Sequence, residues 1–563
     1  MTPEGSLATS FGIGRRAALA VIGVVALTVL VGAPLAGWPD VVRLPAILVP
    51  GLLLVAVVTR PWQWSESTFQ ALDRWEPPPR LVWSAALIVG LVLSWIVLTR
   101  FQSGQINAVD FTIYFDRPCF QTVLGRPLFV ETTDDVRFAH RSEFADHAYW
   151  GMLPLCSLYA IYPSPLWLLA ISVVVVVVGA VYVLKIMQRL GAGGVLASAT
   201  ALALVLNDNT ARALNYGFHP EVLYVWFVPW MIDAGLRGAR MPFLAATIGC
   251  VLVKEDACLP IFAASVALAL TRGRVLSRRD RWWFLVLPTA LALGNLAVHN
   301  GLIVPTLRGS GGRPTYEYFW ANYGETPLLA LFGIVTHPWA VLAGVMSSGF
   351  FTTVILPHLF LPFVGWRWAL GIVPIVALYG VSANDQLRAF GIYYAIVLVP
   401  FLAIATSAGA LTVARRVIAD TGRARLAAAC VVLAGALVVG GGSHGYSLRP
   451  WSAAVGAVPD ALGQLADEPV VLVQSGLYPH AGYDARVKLL TSETVNDPRH
   501  RGAAVLVAPG INAYPFSASE LASLAVLHPV RSLRDGIVVS RVLDPPSVTT
   551  QAGARIPRKF RAP

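Results

Sequence analysis

The chain has 563 residues, of which 56% are hydrophobic and only 13% charged, with a mean hydropathy of +0.64. A soluble domain carries about 25% charged residues, so a soluble globular protein is excluded and a polytopic membrane protein is indicated. The formal net charge of +11 sits in short Arg-rich loops between apolar runs. That is the orientation signal of a membrane protein rather than a nucleic-acid footprint, so no nucleic-acid partner is expected.

In chain order, Arg15 and Arg16 precede the first apolar run, Ala17 to about Leu35. The run is long enough to span and a second follows at once, which predicts an uncleaved first helix. Apolar windows predict spans near 18–35, 42–59, 81–99, 165–187, 193–207, 219–236, 242–254, 257–271, 283–303, 351–366, 368–381, 391–411 and 425–441, about thirteen in all. Several are shorter than a crossing requires and must tilt, re-enter or be buried among other helices. With a cytoplasmic N-terminus, Arg60, Arg74, Arg80, Lys185, Arg189, Arg237, Arg240, the Arg272–Arg281 group, Arg367, Arg415, Arg416, Arg423 and Arg425 all fall inside. Loops 100–150, 207–219, 304–350 and 382–390, the 254–256 turn and the chain after 442 then lie outside. The broken apolar stretch 327–350, with His337 and Pro338, reads as a helix pair lying in the outer interface.

Four regions follow. Residues 1–80 form an N-terminal helix pair with a cytoplasmic loop, and 81–441 form the main membrane domain with large outer loops at 100–150 and 304–350. Residues 442–545 form a small extracytoplasmic α/β domain, with strand-like runs at Val470–Gln474, Ala503–Val507 and Gly536–Val542. Residues 546–563 are a basic, disordered tail. Cys119, Cys156, Cys250, Cys258 and Cys430 show no CxxC spacing and suggest neither a zinc site nor a disulfide framework, only core positions.

The most informative local feature is Lys254-Glu255-Asp256, three ionisable residues interrupting an apolar stretch from Met241 to Leu270. Each charge at membrane depth costs a few kcal/mol, so the triplet needs partners, a wet cavity or a membrane edge. The bland alternative is a turn between two short helices. Loop 100–150 adds Asp110, Asp116, Glu131, Asp134, Asp135, His140, Glu143, Asp146 and His147; the acids near 131–135 fit a solvated loop. Asp110 follows a membrane helix by about ten residues amid Val, Phe and Ile, and Asp146 and His147 directly precede the next apolar segment. In NYGFHPEVLY, His219 and Glu221 sit at a helix mouth, with Pro220 fit for its first turn. All seven of Asp110, Asp146, His147, His219, Glu221, Glu255 and Asp256 fall at one membrane boundary, which predicts a shared site. Such groups can act as general base or hold a divalent ion, with Asp110, Asp146 and His219 as candidate ligands and no ion specified. Lys254, Arg308, Arg313 and Arg388 are candidate partners for a phosphate. The aromatics of loop 304–326 serve as an interfacial belt or a sugar-stacking surface.

These motifs resemble the DUF2079 membrane-protein family, placed among relatives of the GT-C glycosyltransferases. The resemblance rests on DFTIYFDR with the following VLGRPLF, on FADH, YPSPL, FHPEV and VKEDA, and on LVQSGLYPHAGYDARVKLL, from about residue 107 to 500. It implies a GT-C-like bundle whose first large outer loop bears an acid, using a polyprenyl-phosphate-linked sugar as donor, in contact with membrane lipids. One departure stands out: where a His-Tyr pair is expected to open a late helix, this chain has Ile392, Tyr393 and Tyr394.

The expected function is therefore a membrane glycosyltransferase of the extracytoplasmic face, with Asp110 as base. Glu255, Asp256, Asp146 and His219 shape the acceptor site, His147, Glu221, Tyr393 and Tyr394 bind substrate, and Lys254 and Arg388 face the phosphate. The alternatives are a transporter or lipid flippase with an intramembrane charge relay, and a non-catalytic envelope scaffold. The Ala- and Arg-rich composition fits a GC-rich bacterium and its plasma membrane.

Overall fold

The computed structural model describes residues 71, 74–131, 140–272, 277–308, 319–325, 327–440, 446–521, 529–532 and 536–542. The predicted spans 18–35 and 42–59, Asp134, Asp135, Arg313 and the tail 546–563 lie outside the described residues. The chain divides into two compact units, with the helical unit ending at Trp451 and the second beginning at Ser452.

In the helical unit, four described helices are long and apolar enough to cross a bilayer: Pro79–Gln102, Leu166–Arg189, Arg278–Arg308 and Tyr394–Val417. A further pair, Leu329–Thr336 and Pro338–Ser347, is bent by 88° at His337, as the His-Pro break predicts. Other predicted spans are helices of 14 or 15 residues: Gly193–Leu206, Tyr224–Arg237, Arg240–Val253 and Cys258–Arg272. At a rise of 1.5 Å per residue these reach about 20 Å, short of the roughly 30 Å hydrocarbon core. The expectation of thirteen crossings is thus not matched one for one by full-length helices. The predicted 351–366 span is likewise broken into the turns Phe350–Ile355, Leu356–His358 and Leu361–Val364, around left-handed Leu359 and Phe360. The polar 207–219 loop is largely a helix, Asp208–Tyr216, capped by the Asn207 side chain on the Asn209 N–H.

Burial ranks these helices. Tyr394–Val417 is the most enclosed, whereas Pro79–Gln102 is peripheral and leaves Trp83, Leu87, Leu91 and Trp95 more than half exposed. That four-residue spacing is one helical stripe facing lipid. The Val-rich Leu166–Arg189 helix meets Tyr224–Arg237 so closely at Gly179 that a Cβ there would stand 2.1 Å from the Val225 carbonyl oxygen, the small-residue contact expected where helices pack without a solvent drive.

Cys119 and Cys156 are buried, as expected, but they are also joined in a disulfide, which the sequence reading did not foresee. Their separation of 37 residues carries no spacing signal; only the fold brings the Arg117–Val123 and Met152–Cys156 helices together. Closing a loop of that length contributes about 3–4 kcal/mol in the chain-entropy account. Cys119→Ala is therefore expected to lower the melting temperature by several degrees, and Cys119→Ala/Cys156→Ala by no more than the single change. A double variant far less stable than either single would show that the two thiols act separately.

The second unit holds a five-stranded sheet. After the small hairpin β1 (Phe129–Val130) and β2 (Arg141–Ser142) of the helical unit, the sheet is built from β3 (Val471–Val473), β4 (Val487–Leu489), β5 (Ala504–Val507), β6 (Pro529–Ser532) and β7 (Val538–Arg541). β3 runs parallel to both β4 and β5, and β7 is antiparallel to β5 and β6. Every residue of β3 and β5 is buried, which explains their unbroken apolar runs: a strand covered on both faces has no polar side to alternate. The three predicted strands match β3, β5 and β7; β4 was not foreseen, because Lys488 breaks its short pattern.

Candidate functional site

The triplet at 254–256 is a break between two helices. Lys254 is extended (φ −166°, ψ 163°), ending Arg240–Val253 and preceding a turn of 3-10 helix at Glu255–Ala257. The carbonyls left unpaired at that helix end are satisfied from outside. The Gly151 N–H donates to the Leu252 oxygen at 2.7 Å, and the Asn295 amide donates to Val251 O at 3.3 Å and Lys254 O at 3.5 Å. The break is thus held open by loop 140–151 and by the Arg278–Arg308 helix, rather than being a slack connector.

Loop 140–151 is fastened at several points. Glu255, buried, accepts from the Ala148 N–H at 2.9 Å and pairs with His147 Nδ1 at 2.9 Å. Asp146 pairs with Arg308 at 2.8 Å, and Arg308 also donates to Ala145 O at 2.7 Å. Trp150 stacks on Phe144 and donates to Asn295 at 3.0 Å. Beside them lies Glu143, whose Oε2 is buried and has no hydrogen-bond partner among the described residues. Burial, reinforced by the nearby Asp146, pushes its carboxyl well above the usual carboxylate range. A carboxyl raised in the folded state favours folding below its ordinary value of 4.5 and opposes it as the pH rises above that. Glu143→Gln is therefore expected to melt a few degrees above the wild type at pH 8, with the gap closing towards pH 4.5. A gap that does not change with pH would remove this account of Glu143.

The 217–224 segment arrives on a turn that requires glycine. Gly217 has φ +116°, and a Cβ there would press on Phe111 at 3.1 Å and Ile106 at 3.2 Å. His219 then precedes a 3-10 turn at Pro220–Leu223. Its Nδ1 meets Glu221 Oε2, and the other Glu221 oxygen accepts from Lys254 Nζ at 2.7 Å. The His219 ring lies flat on Tyr393, with centroids 3.6 Å apart and 17° between planes. Tyr393 in turn lies 5.2 Å from Tyr216, whose hydroxyl donates to Asp110. Asp256 accepts from the Tyr224 hydroxyl at 3.0 Å.

Together these elements enclose a cavity of about 340 Å³. Its lining combines Asp146, His147, Tyr149, His219, Glu221, Lys254, Glu255 and Asp256 with the apolar Leu259, Leu296, Ala330, Leu331, Ile334 and Leu378 and the aromatic Trp320, Tyr379, Tyr393 and Tyr394. The fold thus brings together nine of the eleven residues singled out as catalytic or substrate-binding. Asp110 is not among the residues that line this cavity, which corrects the expectation that it shares one pocket with the others; it sits in the turn of π-helix Val109–Asp116 and is joined to the lining Tyr393 through Tyr216. Arg388 is a second correction: it is about half exposed and pairs with Asp385 at 2.6 Å, away from the cavity lining. Among the described residues no three His, Cys, Asp or Glu side chains are grouped to hold an ion, and Asp110, Asp146 and His219 instead engage Tyr216, Arg308 and Glu221 respectively. Tyr149 and Tyr379 line the cavity without having been singled out, because tyrosines in apolar segments read as core.

A mostly helical bundle with membrane-length apolar helices, a small α/β unit and a charged cavity between broken helices defines a polytopic membrane protein. Residues 100–496 match the family described as predicted membrane protein DUF2079, and the chain belongs to that family. No curated protein matches the chain. Among solved structures it is similar to ArnT from Cupriavidus metallidurans bound to undecaprenyl phosphate, at 12% identity and a TM-score of 0.45, over 84% of this chain and 99% of that one. It is also similar to the arabinofuranosyltransferase AftD from Mycobacteria, at 15% identity and a TM-score of 0.43, over 84% of this chain and 40% of that one.

Proposed function

We propose that this protein is a membrane glycosyltransferase that moves a sugar from a polyprenyl-phosphate-linked donor to an acceptor on the extracytoplasmic face. The observation that carries this reading is the mixed lining of the cavity, which joins the charged residues of the Lys254–Asp256 break to the apolar Leu296, Leu331 and Ile334 and so suits a polar head on an isoprenoid chain. Lys254, 5.9 Å above the Tyr149 ring and bonded to Glu221, is the cation that faces the phosphate. Asp110, joined to the lining Tyr393 through Tyr216, is the base on the acceptor side. It takes the proton of the acceptor hydroxyl as that oxygen bonds to the anomeric carbon and the carbon–oxygen bond to the phosphate breaks. The negative charge leaving with the phosphate is compensated by Lys254. The Cys119–Cys156 disulfide supports an oxidising, extracytoplasmic setting for this end of the bundle.

The test is reconstitution in proteoliposomes with an undecaprenyl-phosphate-linked sugar and a cell-envelope extract as acceptor. Release of undecaprenyl phosphate together with a glycosylated product is the expected result. Movement of the intact donor between leaflets without cleavage would replace this reading with a flippase.

A further inference from the structure

Two arginines meet where the Pro79–Gln102 helix leads into loop 100–150, and among the described residues neither has an ion pair. Arg100, partly buried in the last turn of that helix, donates through Nε to the Asn215 carbonyl oxygen at 2.7 Å, a neutral partner. Arg449 is exposed, and its guanidinium is near enough to repel that of Arg100. Asp208, on the helix that ends beside Asn215, is taken by Arg212 at 2.7 Å. Arg308 by the cavity likewise has its own acid, Asp146. Like charges held together apart from any carboxylate carry a repulsion that a bound anion removes.

We infer that this pair binds the phosphate of an anionic glycerophospholipid, whose acyl chains lie on the apolar stripe of the same helix. A guanidinium fork matches phosphate oxygens two at a time, and Arg449 keeps its donors free of any hydrogen-bond partner among the described residues. The segment carrying Arg449 is fastened to the bundle: the Tyr446 hydroxyl donates to Val205 O at 2.6 Å, Ser447 is buried, and the Trp451 ring lies 6.3 Å from that of Trp95. Trp95 is 52% exposed and Trp451 61%, and tryptophan favours the headgroup level of a bilayer. From Trp95 the exposed stripe runs back along the helix through Leu91 and Leu87. A soluble phosphate would use the arginines and leave the tryptophans and the stripe without a partner, whereas a lipid uses all three. A phosphocholine headgroup would bring a third cation to the pair, so the site selects lipids of net negative charge. Neither arginine lines the cavity, and the inference does not depend on the transfer reaction.

The experiment is native mass spectrometry of the full-length protein in detergent, titrated with phosphatidylglycerol and with phosphatidylcholine of the same acyl chains. The wild type is expected to take up the first phosphatidylglycerol at least about tenfold more tightly than phosphatidylcholine, and each arginine removed is expected to cost about fivefold. Arg100→Gln/Arg449→Gln is then expected to show no preference between the two lipids. Arg416→Gln, which removes an exposed arginine from the last turn of another helix, is expected to change nothing. Equal affinity of the wild type for both lipids, or a preference that survives in the double variant, overturns the inference. So does displacement of the lipid by glycerol 1-phosphate at equal concentration, which would mark a soluble-anion site, or loss of phosphatidylglycerol binding in a folded Lys254→Met protein, which would put the lipid in the cavity. Should the double variant not fold, Arg449→Gln decides, because that side chain has no hydrogen bond to lose: an unchanged preference there overturns the inference equally.

Discussion

Lys254→Met is expected to abolish donor binding and to destabilise the helical unit by about 3 kcal/mol, the lower end of the range for removing one partner of a buried ion pair. Both side chains are nearly enclosed, Lys254 at 12% and Glu221 at 5% exposure. Methionine preserves the stem of the side chain but leaves Glu221 with His219 as its remaining partner among the described residues. That remaining contact is the reason for choosing the lower end. Lys254→Met/Glu221→Gln removes the stranded charge, so it is expected to regain most of the lost melting temperature while still failing to bind undecaprenyl phosphate. Thermal melts read the first effect and lipid binding the second. A double variant no more stable than the single would mean that the two residues are not energetically coupled.

Asp110→Asn is expected to reduce transfer by about 10²–10⁴-fold, the usual contribution of a general base, while donor affinity stays within about twofold of the wild type. The amide oxygen can still accept from the Tyr216 hydroxyl and the Asn107 amide, so the variant is expected to fold. The separation of the two effects follows from position. Asp110 is not among the lining residues and reaches Tyr393 through Tyr216, whereas Lys254 lines the cavity where the donor head is placed. Tyr216→Phe, which removes the hydroxyl and keeps the ring, is expected to reduce transfer less than Asp110→Asn. A fully active Asp110→Asn protein would take the base assignment away, and loss of donor binding in that variant would take away the separation of base from donor site.

The replacement of the expected His by Ile392 acquires a physical setting here. Phe390 and Ile392 both adopt left-handed backbone, φ +52° and +46°, on either side of Gly391. Left-handed conformations are costly for such side chains and persist where the surroundings impose them. The turn delivers Tyr393 onto His219 and Tyr394 into the cavity wall. His219 from an earlier segment thus supplies an imidazole against this turn.

Much was determined by sequence alone because it depends on composition and short-range pattern. The membrane class follows from the apolar fraction, the His337-Pro338 bend from proline chemistry, and β3 and β5 from apolar runs too short for helices. The charged break at Lys254 was legible for the same reason: three ionisable residues cannot be left unpartnered in an apolar stretch. What partners them was decided only in three dimensions. Arg308 meets Asp146, Cys119 finds Cys156, and Tyr216 packs on Tyr393. Each of these contacts joins residues 37 or more positions apart. Periodicity reports which face of a helix is apolar but carries no information about which neighbour that face meets, so long-range pairing and the division of the site were set by tertiary packing.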